Sequence, residues 1–492
     1  MINTFSPFGY EGAMISVEVD LRRGIPAIDI VGLSDGCVSA TRERMKTAIK
    51  NSGLEFPQER VLISLSPADL KKEGAGFDLS IALAIIEAQY GLEIDENVFA
   101  MGELELSGRI RLVDGINAAL QSASLHDVKY AIVPKDDRIV IPNGIKVKQV
   151  ISLTEAYFAL CDIANCDFSE FEETSEEIKP KYSVVFNDDT ETLDKLTGNN
   201  GLKLAMAVAV AGRHNMIVWG RPGCGKTMTL QRMPSITPKL SYDEAQSVNR
   251  IFSLAGLPNP KERPFRQPHQ TASLEGMCGG GPNCKCGEIS LAHNGTLFLD
   301  EAGEFRSSVL QMLRVPLESH SITLCRAGRS TVYPANFQLV MAVSPCPCGN
   351  LGSKDRICLC SAKSIEQYWK KFSAPLLDRI AIRVDENNDT EELTFSQTEL
   401  RSMIKRAFEA QHERNVYNEQ MNLEQLDKFA PLNNESSAFL ESIMWKRNLS
   451  LRQIASIKKV ARTIADMRGF KDITLDDVKR AEKLMAPLPL EQ

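Results

Sequence analysis

The chain has 492 residues and a mass of 54.5 kDa, enough for about three domains at roughly 100 to 200 residues each. Its 43% hydrophobic content supplies real cores, while a net charge of -7, from 57 Lys and Arg against 64 Asp and Glu, excludes bulk electrostatics as a route to nucleic acid. No charge-free apolar run of about 18 residues occurs, and Met1-Ile-Asn-Thr-Phe-Ser-Pro lacks a basic segment leading into an apolar one, so a cytoplasmic chain with no membrane partner is expected.

The first part reads as α+β. Met14-Ile-Ser-Val-Glu-Val alternates at period two, Val38 to Asn51 carries apolar residues at helical spacing, and Arg60-Val-Leu-Ile-Ser-Leu predicts a strand. Phe77 to Tyr90 predicts a buried helix, Phe99 to Arg111 a hairpin turning at Ser107-Gly108, and Tyr130-Ala-Ile-Val a late strand. Together they predict a domain over residues 1–165. The acidic residues Asp167, Glu170, Glu172, Glu173, Glu176 and Glu177 follow with almost no aliphatic neighbours, a composition that cannot bury a core and predicts a solvated linker over 166–185. A second α/β block is expected over 186–390. Helical patterning fills 391–492, where Ile473-Thr-Leu-Asp-Asp-Val opens a last capped helix.

The second block carries the chemistry. Met216-Ile-Val-Trp is an apolar strand that runs into Gly220-Arg221-Pro222-Gly223-Cys224-Gly225-Lys226-Thr227 and then a helical segment, the context a phosphate loop requires. Its glycines let backbone N–H groups turn toward ATP phosphates, Lys226 reaches the β and γ phosphates, and Thr227 ligates Mg2+. Cys224 reads as a small space-filler, with a redox switch as the alternative. Gly295-Thr-Leu-Phe-Leu-Asp300-Glu301 is an apolar strand ending in two carboxylates: Asp300 to hold the magnesium shell, Glu301 to polarise the attacking water. A third strand from Phe337 ends at Ser344, whose hydroxyl can orient the same water. Arg379 precedes a further strand, Ile380-Ala-Ile-Arg-Val, in the position of an arginine that reaches a neighbouring subunit's γ-phosphate, and Arg452 opens a helix from which it can fold back over the nucleotide. Taken singly, each arginine is more often a surface ion pair, so the case for these two rests on the resemblance given below.

Cys346-Pro-Cys348 and Cys358-Leu-Cys360 are two CxC pairs on a short polar loop, the donor set of a tetrahedral structural zinc, with unliganded thiols as the alternative. Cys278, Cys284 and Cys286 lie in a Gly-rich loop and read as a second metal site, a redox-sensitive loop or an accident of flexible sequence.

Several strings are specific. The phosphate loop, Phe265-Arg-Gln-Pro-His269, Gly287 to Glu301, Pro345-Cys-Pro-Cys-Gly349, Ala374-Pro-Leu-Leu-Asp-Arg379 and Ala461-Arg-Thr-Ile-Ala-Asp466 together resemble the magnesium-chelatase-like AAA+ ATPases of the ComM/YifB type over nearly the whole chain. The resemblance implies an AAA+ P-loop core with a C-terminal helical lid, Arg379 as arginine finger, Arg452 as lid sensor and Ser344 as first sensor, where the family usually has Asn. In the first domain, Pro67 to Leu79 and Gly102 to Leu120 resemble the Lon-protease-like fold. Gly76 and Asn117 align with that fold's catalytic serine and lysine, so the domain has neither nucleophile nor base and is expected to serve assembly or partner binding.

Three functions follow for weighing: a hexameric ring motor on DNA in helicase or branch-migration work, a protein-remodelling motor related to the chelatase subunit, and an ATP-dependent protease, which the missing pair disfavours. The long segment between Lys226 and Asp300 contains Arg250, Lys261, Arg263, Arg266 and His269, and Ser321 to Tyr333 predicts a hairpin carrying Arg326 and Arg329. Facing a ring's pore, these would follow a phosphate backbone; an intersubunit surface is the alternative.

Overall fold

A computed structural model of the chain describes all residues except 34, 68–71, 73–74, 174–182, 188–191, 282–283, 327–328, 353–355, 387–393 and 490–492. Glu176, Glu177, most of the turn after Pro67 and the expected start of the lid at Glu391 lie outside the described residues.

The N-terminal strands are β1 (Ile2–Ser6), β2 (Ala13–Arg22), β3 (Ile28–Val31), β4 (Arg60–Ser66), β5 (Val98–Ala100), β6 (Glu103–Leu104), β7 (Ile110–Arg111), β8 (Tyr130–Pro134) and β9 (Lys146–Val150). Seven of them form one sheet in the order β3-β4-β2-β1-β5-β8-β9, antiparallel where β2 meets β1 and β4 and parallel elsewhere. The expected hairpin exists in reduced form: β5 joins the large sheet, and only β6 and β7 pair across the turn at Ser107-Gly108. The helix Asp78–Tyr90 is apolar around most of its circumference, and it is buried from Asp78 to Ile86 because such a helix has no face to offer water.

The acidic stretch departs from a fully solvated linker. Phe168 stacks on Tyr130 with ring centroids 4.5 Å apart, and Glu172 exchanges backbone hydrogen bonds of 2.8 Å with Val147. Two aromatic rings thus strap its first residues to the sheet edge, although aliphatic residues are scarce.

The second block contributes β10 (Met216–Trp219), β11 (Phe265–Arg266), β12 (Gly279–Gly280), β13 (Lys285–Cys286), β14 (Thr296–Leu299), β15 (Ser321–Arg326), β16 (Arg329–Pro334), β17 (Gln338–Val343) and β18 (Ile382–Asp385). An all-parallel five-stranded sheet runs β11-β14-β17-β10-β18. Every residue of β10, β14 and β17 is buried, which is why these strands read as continuous apolar runs instead of alternating. Among the described residues, five α-helices follow β18. Gln397–Arg414, Leu451–Arg468 and Leu475–Lys483 each start at a capping box, on Ser396, Ser450 and Thr474, and their apolar faces share a core with the helix Asn200–Gly212 behind β10. Arg462 of the Ala461–Asp466 string is an internal pin: it pairs with Asp466 at 3.0 Å and donates to the Phe470 carbonyl.

One arginine sits at the joint between the N-terminal sheet and the second block. Arg250, on the helix Tyr242–Leu254, donates to the carbonyls of Tyr10 (2.9 Å), Glu11 (2.8 Å) and Ala118 (3.1 Å) and to Ser122 Oγ (3.0 Å). A guanidinium with its donors spent on another domain's backbone is a structural joint, so Arg250 leaves the set of basic residues free to meet DNA.

Candidate functional site

The phosphate loop leaves β10 at its carboxyl end, beside the strand-order change that makes a crevice in a parallel sheet. Gly223 and Gly225 have φ of 80° and 93°, a region closed to most side chains. Lys226 Nζ donates to the carbonyls of Gly220 (2.6 Å) and Arg221 (2.8 Å) and lies 3.4 Å from Cys224 Sγ. Cys224 itself donates to the Arg221 carbonyl at 2.8 Å. Burial first, then a hydrogen bond with Glu386, pushes its thiol pKa up, so it packs as a neutral thiol. Pro222 is exposed at the loop's crest.

The magnesium side is assembled across the sheet. Thr227 Oγ1 donates to Asp300 Oδ1 at 2.9 Å, and the same oxygen accepts the Glu301 N–H at 3.1 Å. A hydroxyl and a carboxylate sharing one point are the donor set a magnesium shell takes. Glu301 has φ of 49°, a left-handed conformation that costs a non-glycine residue energy and recurs where a side chain must be aimed.

Three neighbours of this centre carry no sequence signal. Asn199 Nδ2 donates to the Cys224 carbonyl at 3.0 Å and to Thr229 Oγ1 at 3.3 Å, tying the loop to the preceding helix. The Glu386 carboxylate packs against Gly220, 2.7 Å from where a Cβ would stand. Tyr368 is buried, its hydroxyl meeting the backbone of Ser344, and a Cβ on Gly303 would fall 2.0 Å from that hydroxyl. Tyr368 thereby links the end of β17 to the turn after Asp300 and Glu301.

Arg379 and Arg452 lie elsewhere. The Arg379 carbonyl accepts from Asn215 Nδ2 at 3.0 Å, and Asn215 precedes β10, whereas Lys226 follows it. Arg379 is therefore at the amino end of the sheet, roughly 13 Å of strand away from the phosphate loop on its own chain. Arg452 is with it: Arg379 pairs with Glu318, and Arg452 Nη2 lies 3.5 Å from the same carboxylate. The expectation that Arg452 folds over its own nucleotide is corrected, because the lid sets the start of its helix beside Arg379.

Four thiols converge after β17. Cys346 Sγ is 3.4 Å from Cys348 Sγ and 3.6 Å from Cys358 Sγ, and Cys348 and Cys358 are 3.6 Å apart. With Cys360, all four sulfurs fall within 4.8 Å of one another. Tetrahedral Zn–S bonds of about 2.3 Å place sulfurs roughly 3.8 Å apart, so the donor set fits zinc. Among the described residues no other three or more Cys, His, Asp or Glu converge in this way, so Cys278, Cys284 and Cys286 do not form a second such group; burial pushes the Cys286 thiol up to about 11.

The basic residues separate. Arg263 is buried and spent: it binds Glu244 at 2.7 Å and the Pro238 carbonyl at 3.1 Å. Burial alone would raise the Glu244 pKa, but the charges of Arg263 and Arg213 hold it down at about 2. Arg263 is thus corrected from DNA candidate to core ion pair. Arg266 forks onto Glu288 at 2.7 and 2.8 Å, and His269 is exposed with Nδ1 2.8 Å from Thr271 Oγ1. Arg326 and Arg329 face each other in register at the tip of the β15–β16 hairpin; their side chains lie outside the described residues.

In the N-terminal domain, Asn117 is a scaffold residue. Its Nδ2 donates to the Arg138 carbonyl at 3.0 Å, its Oδ1 accepts from Val140 N at 3.0 Å, and its own N–H donates to Ser253 Oγ at 3.2 Å across the domain joint. Ser80 is buried and donates to the Phe77 carbonyl at 2.8 Å. Neither offers a nucleophile.

Profiles described as magnesium chelatase subunit ChlI match residues 192–393, as subunit ChlI of Mg-chelatase residues 17–137, and as the ChlI C-terminal region residues 395–484. The chain is 34% identical to competence protein ComM of Haemophilus influenzae over 94% of its length and 93% of that protein's. It is also 34% identical to the YifB protein of Escherichia coli over 98% of its length and 96% of that protein's. A shorter stretch, 24% of the chain and 19% of the relative, is 24% identical to the archaeal Lon protease of Methanocaldococcus jannaschii, in keeping with a Lon-like N-terminal domain. No described helix is long and apolar enough to cross a membrane. The chain belongs to the magnesium-chelatase-like AAA+ family, of the ComM and YifB type.

Proposed function

We infer that the protein is an ATP-hydrolysing ring, a hexamer, in which each nucleotide site is completed by the next protomer, and that it works on DNA. One observation carries the ring: the phosphate loop, with Thr227 joined to Asp300, and the Arg379–Arg452 pair stand at opposite ends of one parallel sheet. Each chain thus offers half a site at either edge.

Gly220 to Thr227 would hold the phosphates of ATP, and Thr227 and Asp300 the Mg2+, which when bound neutralises phosphate charge. Glu301 would take the proton of the attacking water, and Ser344 would help hold that water. Arg379 and Arg452 would meet the γ-phosphate from the neighbouring protomer. Cys346, Cys348, Cys358 and Cys360 would hold a structural Zn2+.

DNA is favoured by the hairpin tip, where Arg326 and Arg329 stand side by side at the end of a two-stranded arm, and by the relative named for competence. Arginines that meet phosphate bind without sequence preference and release counterions. Replacing Arg326 and Arg329 together by Ala should lower affinity for single-stranded, double-stranded and four-way-junction DNA and shallow its salt dependence, with basal ATP hydrolysis intact. If no DNA form binds wild-type protein at low salt with ATP, a protein-remodelling motor replaces this reading.

A further inference from the structure

A cleft of about 640 Å³ opens beside the Arg379 edge, with Arg314, Val315, Glu318, Ser373 and Pro375 among its walls. At its rim one carboxylate gathers two cations. Arg379 donates through Nη2 to Glu318 Oε2 and through Nη1 to the Pro375 carbonyl at 2.5 Å. Arg452 Nη2 stands 3.5 Å from the other Glu318 oxygen.

Exposure decides what this pairing can do. The Arg379 side chain is only 7% exposed, whereas that of Glu318 is 57% exposed, and the buried Nε of Arg379 has no hydrogen-bond partner among the described residues. A shielded guanidinium needs an anion to stay extended. Glu318 supplies that anion from the solvent side, where another anion can replace it. A carboxylate offers the same two-oxygen fork to arginine as the edge of a phosphate, and a phosphate of higher charge is the stronger acceptor. The hydrogen bond from Arg379, and then its charge, keep the Glu318 pKa below the usual carboxylate range, so the placeholder remains anionic.

The geometry points to Glu318 as a positioning residue: it holds Arg379 and Arg452 together at the protomer edge as a preformed cation pair and yields them to the phosphates of a neighbour's nucleotide. This rests on the ring reading above. Glu318 touches no nucleotide itself; its effect runs through the order of the two arginines, whose long side chains would otherwise have to be ordered during each turnover.

Steady-state ATP hydrolysis by Glu318→Ala and Glu318→Gln tests it. Glu318→Ala should lower kcat about tenfold with KM and affinity for a non-hydrolysable ATP analogue unchanged, because its own phosphate loop is intact. Glu318→Gln should retain part of kcat, since an amide oxygen still accepts from Arg379.

Mixed rings separate positioning from a general structural defect. Glu318→Ala protomers mixed with Lys226→Ala protomers should exceed the specific activity of Glu318→Ala alone, because intact edges then face intact phosphate loops. Mixing Glu318→Ala with Arg379→Ala should give no such gain. Wild-type kcat in Glu318→Ala, or no gain with Lys226→Ala in rings shown to mix, overturns the role of Glu318 alone. Wild-type hydrolysis by Arg379→Ala overturns the ring reading and this assignment with it.

Discussion

Gly349 of the thiol loop lies against Pro222 of the phosphate loop, so closely that a Cβ on Gly349 would stand 2.7 Å from Pro222 Cγ. Trp369 Nε1 fixes the other side of the thiol loop by donating to the Pro345 carbonyl at 3.0 Å. The four-thiol loop therefore braces the phosphate loop. Since metal binding contributes directly to local folding, removing zinc by a chelator should lower ATP affinity, and Cys358→Ser should do the same. Elemental analysis should find one zinc per chain; zinc-free protein with wild-type ATP affinity would end the idea.

Lys226→Ala and Glu301→Gln should fail differently. The first removes charge that faces phosphate and should cut nucleotide affinity by at least about tenfold. The second leaves the Thr227–Asp300 pair in place and should keep ATP bound while kcat drops by roughly 10²–10⁴-fold. Equilibrium binding beside single-turnover hydrolysis checks both; wild-type turnover by Glu301→Gln would remove Glu301 from its role.

A buried acid makes the N-terminal domain sensitive to pH. Burial pushes the Asp78 pKa up to about 7, against the opposing pull of Arg44 at 3.1 Å. Its folded pKa is above its unfolded value, so the folded state is favoured below about pH 4 by this group and loses that advantage as pH rises toward about 7. Asp78→Asn should therefore gain Tm relative to wild type across this interval, with the difference level above it. A difference in Tm that shrinks with rising pH would contradict the assignment.

The strands of the parallel sheet were legible because a sheet covered on both faces leaves uninterrupted apolar runs such as Met216 to Trp219 and Leu339 to Val343. The phosphate loop and the Asp300–Glu301 pair follow those strands directly. Arg452 was misplaced because which nucleotide a lid residue meets depends on how the helices pack, a relation absent from local pattern. Arg263 was misjudged for a related reason: its partner Glu244 lies 19 residues away in the chain, and a salt bridge across that separation leaves no local pattern. Edge strands β3 and β9 were missed because they are short and only partly buried, leaving too little apolar signal to set them apart from loop.

The Arg379–Glu318–Arg452 cluster makes a claim about symmetry, since a site built from two edges survives when the two defects sit on different chains. The direct measurement is ATP hydrolysis in rings mixed from Lys226→Ala and Arg379→Ala protomers, each inactive alone, across a range of ratios. Activity that appears on mixing, peaks at intermediate ratios and is also obtained with Arg452→Ala in place of Arg379→Ala is the result expected. No recovery at any ratio, in rings shown to contain both chains, would contradict a nucleotide site shared between neighbours.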